Sequence, residues 1–384
     1  GGGGSGKTRL ALELCHHIKD TWNAGFVTTQ ALKRFFAQQD ASEWDWQKPT
    51  LIVLDYAAAH APVLADWLQE LQDRPTPPYP LRLLLLERHA DPASGWHQTV
   101  FNPGGGQSLS TRELLDPPEP VRIWPLPDRL DRLAIVQSVM ERVAPHLVGK
   151  LLDEQSLEAQ IDQSHWAGDP LYLAMAALSM ARSGDTAALK LGRTDLAMEV
   201  AGHEKKRLAE MARGRQLDPE LVHHLCACIT LVQGMSREEA IALMRAEKQA
   251  TGLDNADATA RVVEVLHDAF ADPTDEGRIA PLRPDLIGEA FLLRVWTRPE
   301  RSAAIQRLFA TQSAPVVESL VRLVQDFAAS DPRAGKWFDS LVQAHWDDLE
   351  TLQGIDAGVP EVTVALSHVN LRLAQRLLQL EQAA

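Results

Sequence analysis

The first eight residues, Gly1-Gly2-Gly3-Gly4-Ser5-Gly6-Lys7-Thr8, carry the clearest chemical signal in the chain. Glycines let consecutive backbone N–H groups turn inward around an anion, a lysine adds a positive charge, and a threonine hydroxyl is a ligand for a hard divalent cation. Residues 7–20 place Leu10, Leu14, His17 and Ile18 at helical spacing, so the glycines should lead directly into a helix whose positive dipole end faces the same anion. The spacing Gly1-x-x-x-x-Gly6-Lys7-Thr8 therefore predicts a phosphate cradle. Lys7 would reach the β- and γ-phosphates and Thr8 would hold Mg²⁺. Gly1, Gly4, Ser5, Gly6 and Arg9 would complete the binding loop. A flexible Gly-Ser linker over the first five residues is the competing reading, and Gly6-Lys7-Thr8 at the required spacing argues against it.

A second acid belongs with this loop. Thr50-Leu51-Ile52-Val53-Leu54-Asp55 is a continuous apolar run closed by a carboxylate, the pattern of a strand buried on both faces of a parallel sheet. Asp55 at its C-terminal end sits where a Mg²⁺-bound water is held in phosphate-transfer sites. An ordinary solvent-facing aspartate at a strand end is the alternative. Tyr56, Ala57 and Ala58 follow, so no general base adjoins that acid and any hydrolysis should be slow. Leu81–Leu86 reads as another buried strand. Glu87 and Arg88 cap it at the same sheet edge, where Arg88 would sense a γ-phosphate or else be a solvated loop residue. A third group, Trp166-Ala167-Gly168-Asp169-Pro170-Leu171, precedes an apolar helix, with Pro170 in its first turn.

These residues need a scaffold. Residues 24–29 suggest a short strand, 30–39 and 62–72 helices, 74–80 and 89–120 loops, and 121–124 one more strand. Strands alternating with helices argue for an α/β fold with a parallel sheet over residues 1–127. The strand that should precede the glycines is missing, so the chain reads as part of a longer polypeptide. Beyond residue 127 the pattern turns helical: 128–143, 152–163, 170–181 and 193–211, with Gly184-Asp185 as a linker. Three more helices at 219–232, 236–249 and 256–269 are followed by Asp275-Glu276-Gly277-Arg278, read as a turn between two short strands. That is a winged-helix pattern. Residues 301–310, 314–327, 335–349 and 366–381 are helical, consistent with the start of an α-solenoid. The implied domains are 1–127, 128–218, 219–297 and 298–384.

Composition narrows the function. Of 384 residues, 52 are Asp or Glu and 38 Lys or Arg, a net charge of −14 that repels nucleic acid and anionic membranes. Three cysteines make no disulfide framework, and the apolar runs are too short to span a bilayer, which suggests a cytoplasmic protein. His223-His224-Leu225-Cys226-Ala227-Cys228 has the composition of a metal cluster without zinc-site spacing. Asp347-Asp348 reads as a solvated helix face, and no Gly-x-Ser-x-Gly element or Cys/His pairing points to a hydrolase.

Taken together, Gly1–Thr8, Leu51–Asp55 with Tyr56-Ala57, Arg88 and Gly168-Asp169-Pro170 resemble the STAND class of P-loop NTPases, which includes NACHT and NB-ARC proteins. Many related ATPases carry a Glu directly after the aspartate, where this chain has Tyr56. The resemblance implies a P-loop sheet, a helical lid, a winged helix and helical repeats. Pro170 and Asp285, the latter within Arg283-Pro284-Asp285 where relatives carry Met-His-Asp, would contact the nucleotide. Leu266-His267-Asp268 matches that motif in letters but lies before the hairpin. The implied function is a switch: ADP holds a closed form, ATP with Mg²⁺ releases one that self-associates, and helical repeats sense a trigger. Any effector would precede Gly1. A winged-helix transcriptional regulator and a fast motor of the AAA+ type are the alternatives. The acidic charge and the lack of a basic cluster on the third helix weigh against the first, and the absent Glu after Asp55 against the second.

Overall fold

A computed structural model describes residues 4–345 apart from 28–30, 32–34, 36–45, 73–77, 88–89, 93–94, 102–110, 152, 165, 167, 253–258 and 273–274. Among the described residues the chain is α/β, with one parallel sheet and a majority of helix. It divides into two compact units. One comprises Gly1–Pro127 with Asp169–Leu171, the other Asp128–Gly168 with Tyr172–Trp346.

In the first unit, β1 (Asn23–Phe26), β2 (Thr50–Asp55) and β3 (Leu81–Leu86) form a parallel sheet in the order β1-β2-β3. Register pairs Phe26 with Val53 and Asp55 with Leu86, so the strands end together at one edge. The apolar runs Leu51–Leu54 of β2 and Leu83–Leu86 of β3 arise because each face of the sheet is covered by helix, whereas Arg82 of β3 is exposed and only Leu86 of that strand is buried. Leu51, Val53, Leu84 and Leu86 pack beneath α1 (Lys7–Ile18) with Ala11 and Cys15. Ile52, Leu54, Leu83 and Leu85 meet α2 (Ala61–Gln72) and α3 (Gly95–Phe101) through Leu64, Trp67, Trp96 and Phe101. The helix expected over 30–39 lies outside the described residues except for Ala31 and Phe35, which are helical.

Two expectations here need correction. The stretch 89–120 is not all loop, because it contains α3 and a 3-10 turn at Thr111–Leu114. Gly-Trp-His-Gln-Thr-Val-Phe is a weak helix former, and burial of Trp96, Val100 and Phe101 overrides its local preference. Residues 121–124 are not a strand. Val121 and Trp124 are exposed and the segment has no ladder partner among the described residues, without which extended chain is not sheet.

The second unit is built from helices whose starts are written in the sequence. Asp128, Asp153 and Asp218 cap α4 (Arg129–Val143), α5 (Glu154–Gln163) and α8 (Pro219–Leu231) through their carboxylates. α6 (Pro170–Ser183) and α7 (Arg193–Gly214) lie between them in the chain. Every residue from Leu221 to Leu231 is buried, matching an α8 sequence that is apolar nearly all round. β4 (Met235–Ser236) follows, and a Ser236–Glu239 capping box opens α9 (Arg237–Thr251), before α10 (Thr259–Ala269). Strands β5 (Ala271–Asp272) and β6 (Asp275–Ile279) join β4 in an antiparallel sheet ordered β4-β6-β5. Residues 275–278 therefore lie within β6, not in the turn. Asp272 of β5 and Asp275 of β6 are paired partners.

α11 (Asp285–Val295) is buried along most of its length and is followed by α12 (Pro299–Ser302), α13 (Ala304–Phe309), α14 (Ser313–Phe327) and α15 (Pro332–Ala344). The single helix expected over 301–310 is thus two, with Ala303 as the joint. Asp347-Asp348 and the helix expected at 366–381 lie outside the described residues. Among the described residues no helix is long and apolar enough to cross a membrane, and Cys15, Cys226 and Cys228 are free and buried.

Packing around α11 leaves no room at Gly288. A Cβ there would stand 2.7 Å from the Leu282 carbonyl oxygen and 2.8 Å from Thr230 Cγ2. Because the closer atom is backbone, relief requires main-chain movement. Gly288→Ala is expected to destabilise the protein by about 1–3 kcal/mol in urea unfolding, and an unchanged midpoint would contradict this packing.

Candidate functional site

The loop expected to cradle phosphate is shaped by left-handed backbone at two glycines. Gly4 has φ 84° and Gly6 φ 87°, values that side-chain-bearing residues rarely adopt. Gly6 is the N-cap of α1, and its carbonyl accepts the first helical hydrogen bond from Leu10 N–H at 2.8 Å. Ser5 is buried, and its Oγ accepts from Lys7 Nζ at 3.4 Å. No acidic residue occupies the first turn of α1, so its positive end is uncompensated by its own sequence.

Thr8 and Asp55 come together directly. Thr8 Oγ1 donates to Asp55 Oδ2 at 2.7 Å, while the other carboxylate oxygen, Oδ1, accepts from Tyr56 N–H at 3.1 Å. The contact follows from topology: α1 begins, and β2 ends, at the same edge of the sheet. Directly after Asp55 the chain turns sharply, with Tyr56 left-handed at φ 56° and a 3-10 turn at Ala57–His60. Glu87, one residue beyond β3, accepts from Ala58 N–H through Oε2 at 3.0 Å. The hydroxyl and carboxylate of Thr8 and Asp55 form an oxygen donor set of the kind Mg²⁺ takes.

Pro170 also reaches the loop. Within the first unit, Leu171 N–H donates to the Gly4 carbonyl at 3.3 Å, and Pro170 Cγ lies 3.7 Å from where a Cβ on Gly6 would stand. The remaining candidates are placed otherwise. Arg9 is exposed on α1 and pairs with Glu13 at 2.5 Å. Asp285 belongs to the second unit, where it pairs with Arg283 and lies 3.9 Å from Arg322 Nε. In the competing motif, His267 Nε2 meets the Glu276 carbonyl at 2.7 Å and Asp268 pairs with Arg215 at 2.5 Å. Gly1 and Arg88 lie outside the described residues.

Two members of the His/Cys run enter a buried polar cluster. His224 and Cys228, one turn apart on α8, meet Glu247 of α9 in the core. Trp296 Nε1–H donates to His224 Nδ1 at 3.1 Å, which leaves that nitrogen unprotonated. The ring proton is therefore on Nε2, where it meets Glu247 Oε2 at 2.7 Å. Arg307 of α13 grips Glu247 by both carboxylate oxygens at 2.6 Å, so a guanidinium already supplies the positive charge. Burial pushes the Cys228 thiol well up. Sequence reasoning missed Glu247. The available signal was an acid continuing the inward face of α9 after Ala240 and Met244.

No family model, curated protein or solved structure matches the chain. The site therefore has to be read from its own geometry.

Burial favours the neutral form of Glu247, but the hydrogen bonds from Arg307 and His224 outweigh it and hold the carboxyl at about 2. Relative to its ordinary value of 4.5, this stabilises the folded protein by about 3 kcal/mol above pH 4.5, a contribution lost as pH falls towards 2. Glu247→Gln should cost about 3–5 kcal/mol at neutral pH, because it leaves Arg307 facing a neutral group, and should flatten the acid limb of stability against pH. An acid limb equally steep in both proteins would refute the assignment.

Proposed function

We propose that the chain is an ATP- and ADP-binding molecular switch of the STAND type, with slow hydrolysis, that couples sensing of a trigger to self-association in bacterial signalling or defence. The observation that carries this reading is the 2.7 Å contact of Thr8 with Asp55, which joins the end of the glycine loop to the end of a buried strand. The left-handed Gly4 and Gly6 and the uncompensated N-terminus of α1 supply the phosphate cradle. Lys7 would neutralise the terminal phosphates, and Thr8 and Asp55 would hold Mg²⁺, which spreads charge from the phosphate oxygens when bound. Slow hydrolysis is supported at Tyr56: the residue after Asp55 is not an acid, and the chain turns away there.

One further feature supports the finer parts of this reading. In the second unit, three helices closed by an antiparallel hairpin support a winged-helix module at 219–297, and α12–α15 support a helical region after it. The −14 net charge disfavours DNA as its partner.

Binding of a fluorescent ADP analogue, with and without Mg²⁺, tests the proposal. Lys7→Ala should weaken binding on the order of 100-fold, because it removes a charged donor aimed at the phosphates; unaltered affinity would sink the phosphate-loop assignment. Asp55→Asn should abolish the gain in affinity that Mg²⁺ gives. Near-stoichiometric ADP formation with negligible turnover would fit a switch, whereas steady turnover would favour a motor. Salt-dependent duplex binding would favour the transcriptional regulator.

A further inference from the structure

The turn after Asp55 is held from the neighbouring strand. Asp55 is paired with Leu86, so Glu87 is the first residue past β3 and lies level with Tyr56. Tyr56 adopts the left-handed region at φ 56°, ψ 51°, an unusual place for a bulky aromatic residue, and such a conformation persists only where its surroundings hold it. The 3-10 turn it starts has amides without helical partners, and Glu87 Oε2 takes one of them, Ala58 N–H, at 3.0 Å. The same turn sets Asp55, because Tyr56 N–H binds Oδ1 at 3.1 Å and leaves Oδ2 to Thr8 at 2.7 Å.

We propose that Glu87 is a positioning residue of the nucleotide site, fixing through Ala58 and Tyr56 the direction in which the Asp55 carboxylate presents itself to Mg²⁺. This rests on the nucleotide-binding reading above. The carboxylate acts as a hydrogen-bond acceptor for a backbone amide. A glutamine at this position has a carbonyl oxygen that can accept the same bond, whereas alanine has no acceptor. Removing an outer-shell partner of a metal ligand typically weakens metal affinity about 10–100-fold.

The experiment compares the wild-type chain with Glu87→Gln and Glu87→Ala. Fluorescent-ADP binding is titrated with Mg²⁺, and amide hydrogen exchange is followed at residues 56–58 without nucleotide. Glu87→Ala should raise the Mg²⁺ concentration needed for half-maximal effect roughly 10-fold or more, leave Mg²⁺-free binding unchanged, and speed exchange at Ala58. Glu87→Gln should restore both readouts. Unchanged Mg²⁺ dependence in Glu87→Ala, or a Glu87→Gln protein that behaves like Glu87→Ala while its melting temperature matches wild type, overturns the role. A wild-type chain that binds no nucleotide overturns the underlying reading as well. Normal wild-type binding with an indifferent Glu87→Ala overturns only the role of Glu87.

Discussion

The hydrogen bond between Thr8 and Asp55 concentrates the constraint on which the first unit depends. A hydroxyl from the first turn of a helix and a carboxylate from the last position of a buried strand can meet only if helix start and strand end lie at one edge of the sheet. Parallel strands guarantee this. With β1, β2 and β3 in register, their C-terminal ends line one rim, and α1 packs over Leu51, Val53 and Leu86 with its N-terminus at that rim. The apolar faces of the sheet thus hold two polar groups in place from below.

The same rim gathers the rest of the site. Its backbone carries unusual conformations at Gly4, Gly6 and Tyr56, two of them on the loop before Thr8 and one following Asp55. Glycine makes the first two cheap. The third falls on a tyrosine and is held by its neighbours, with Glu87 on the Ala58 amide and Asp55 on the Tyr56 amide. Strained backbone that surrounding contacts over-determine is a common mark of a working site.

A different logic governs the second unit. Its polar centre, Glu247 with His224, Arg307 and Trp296, is closed on itself, every group facing a complementary one. Residues from α8, α9 and α13 and from the end of α11 contribute. The network ties these elements together, and breaking it would leave a charge in the core. The sequence had the composition of a metal cluster here without zinc-site spacing; that Glu247 joins His224 and Cys228 came only with the fold.

What the sequence determined by itself was local: the glycine loop, β2 and β3 to the residue, and the candidates Lys7, Thr8 and Asp55. These are legible because turn chemistry and apolar runs act over a few residues. It failed where distant partners decide the outcome. The weak helix former at 95–101 becomes helix because Trp96 and Phe101 reach the core. Residues 121–124 stay out of the sheet because an extended segment needs a ladder partner. The split at Ala303 and the placing of 275–278 inside β6 likewise follow from packing and pairing. Glu87 and Glu247 gained their partners only when the chain folded, since a hydrogen bond between residues far apart in sequence is written in no local pattern. Tertiary structure alone decided that Thr8 and Asp55 touch, because the sheet supplies the distance between them.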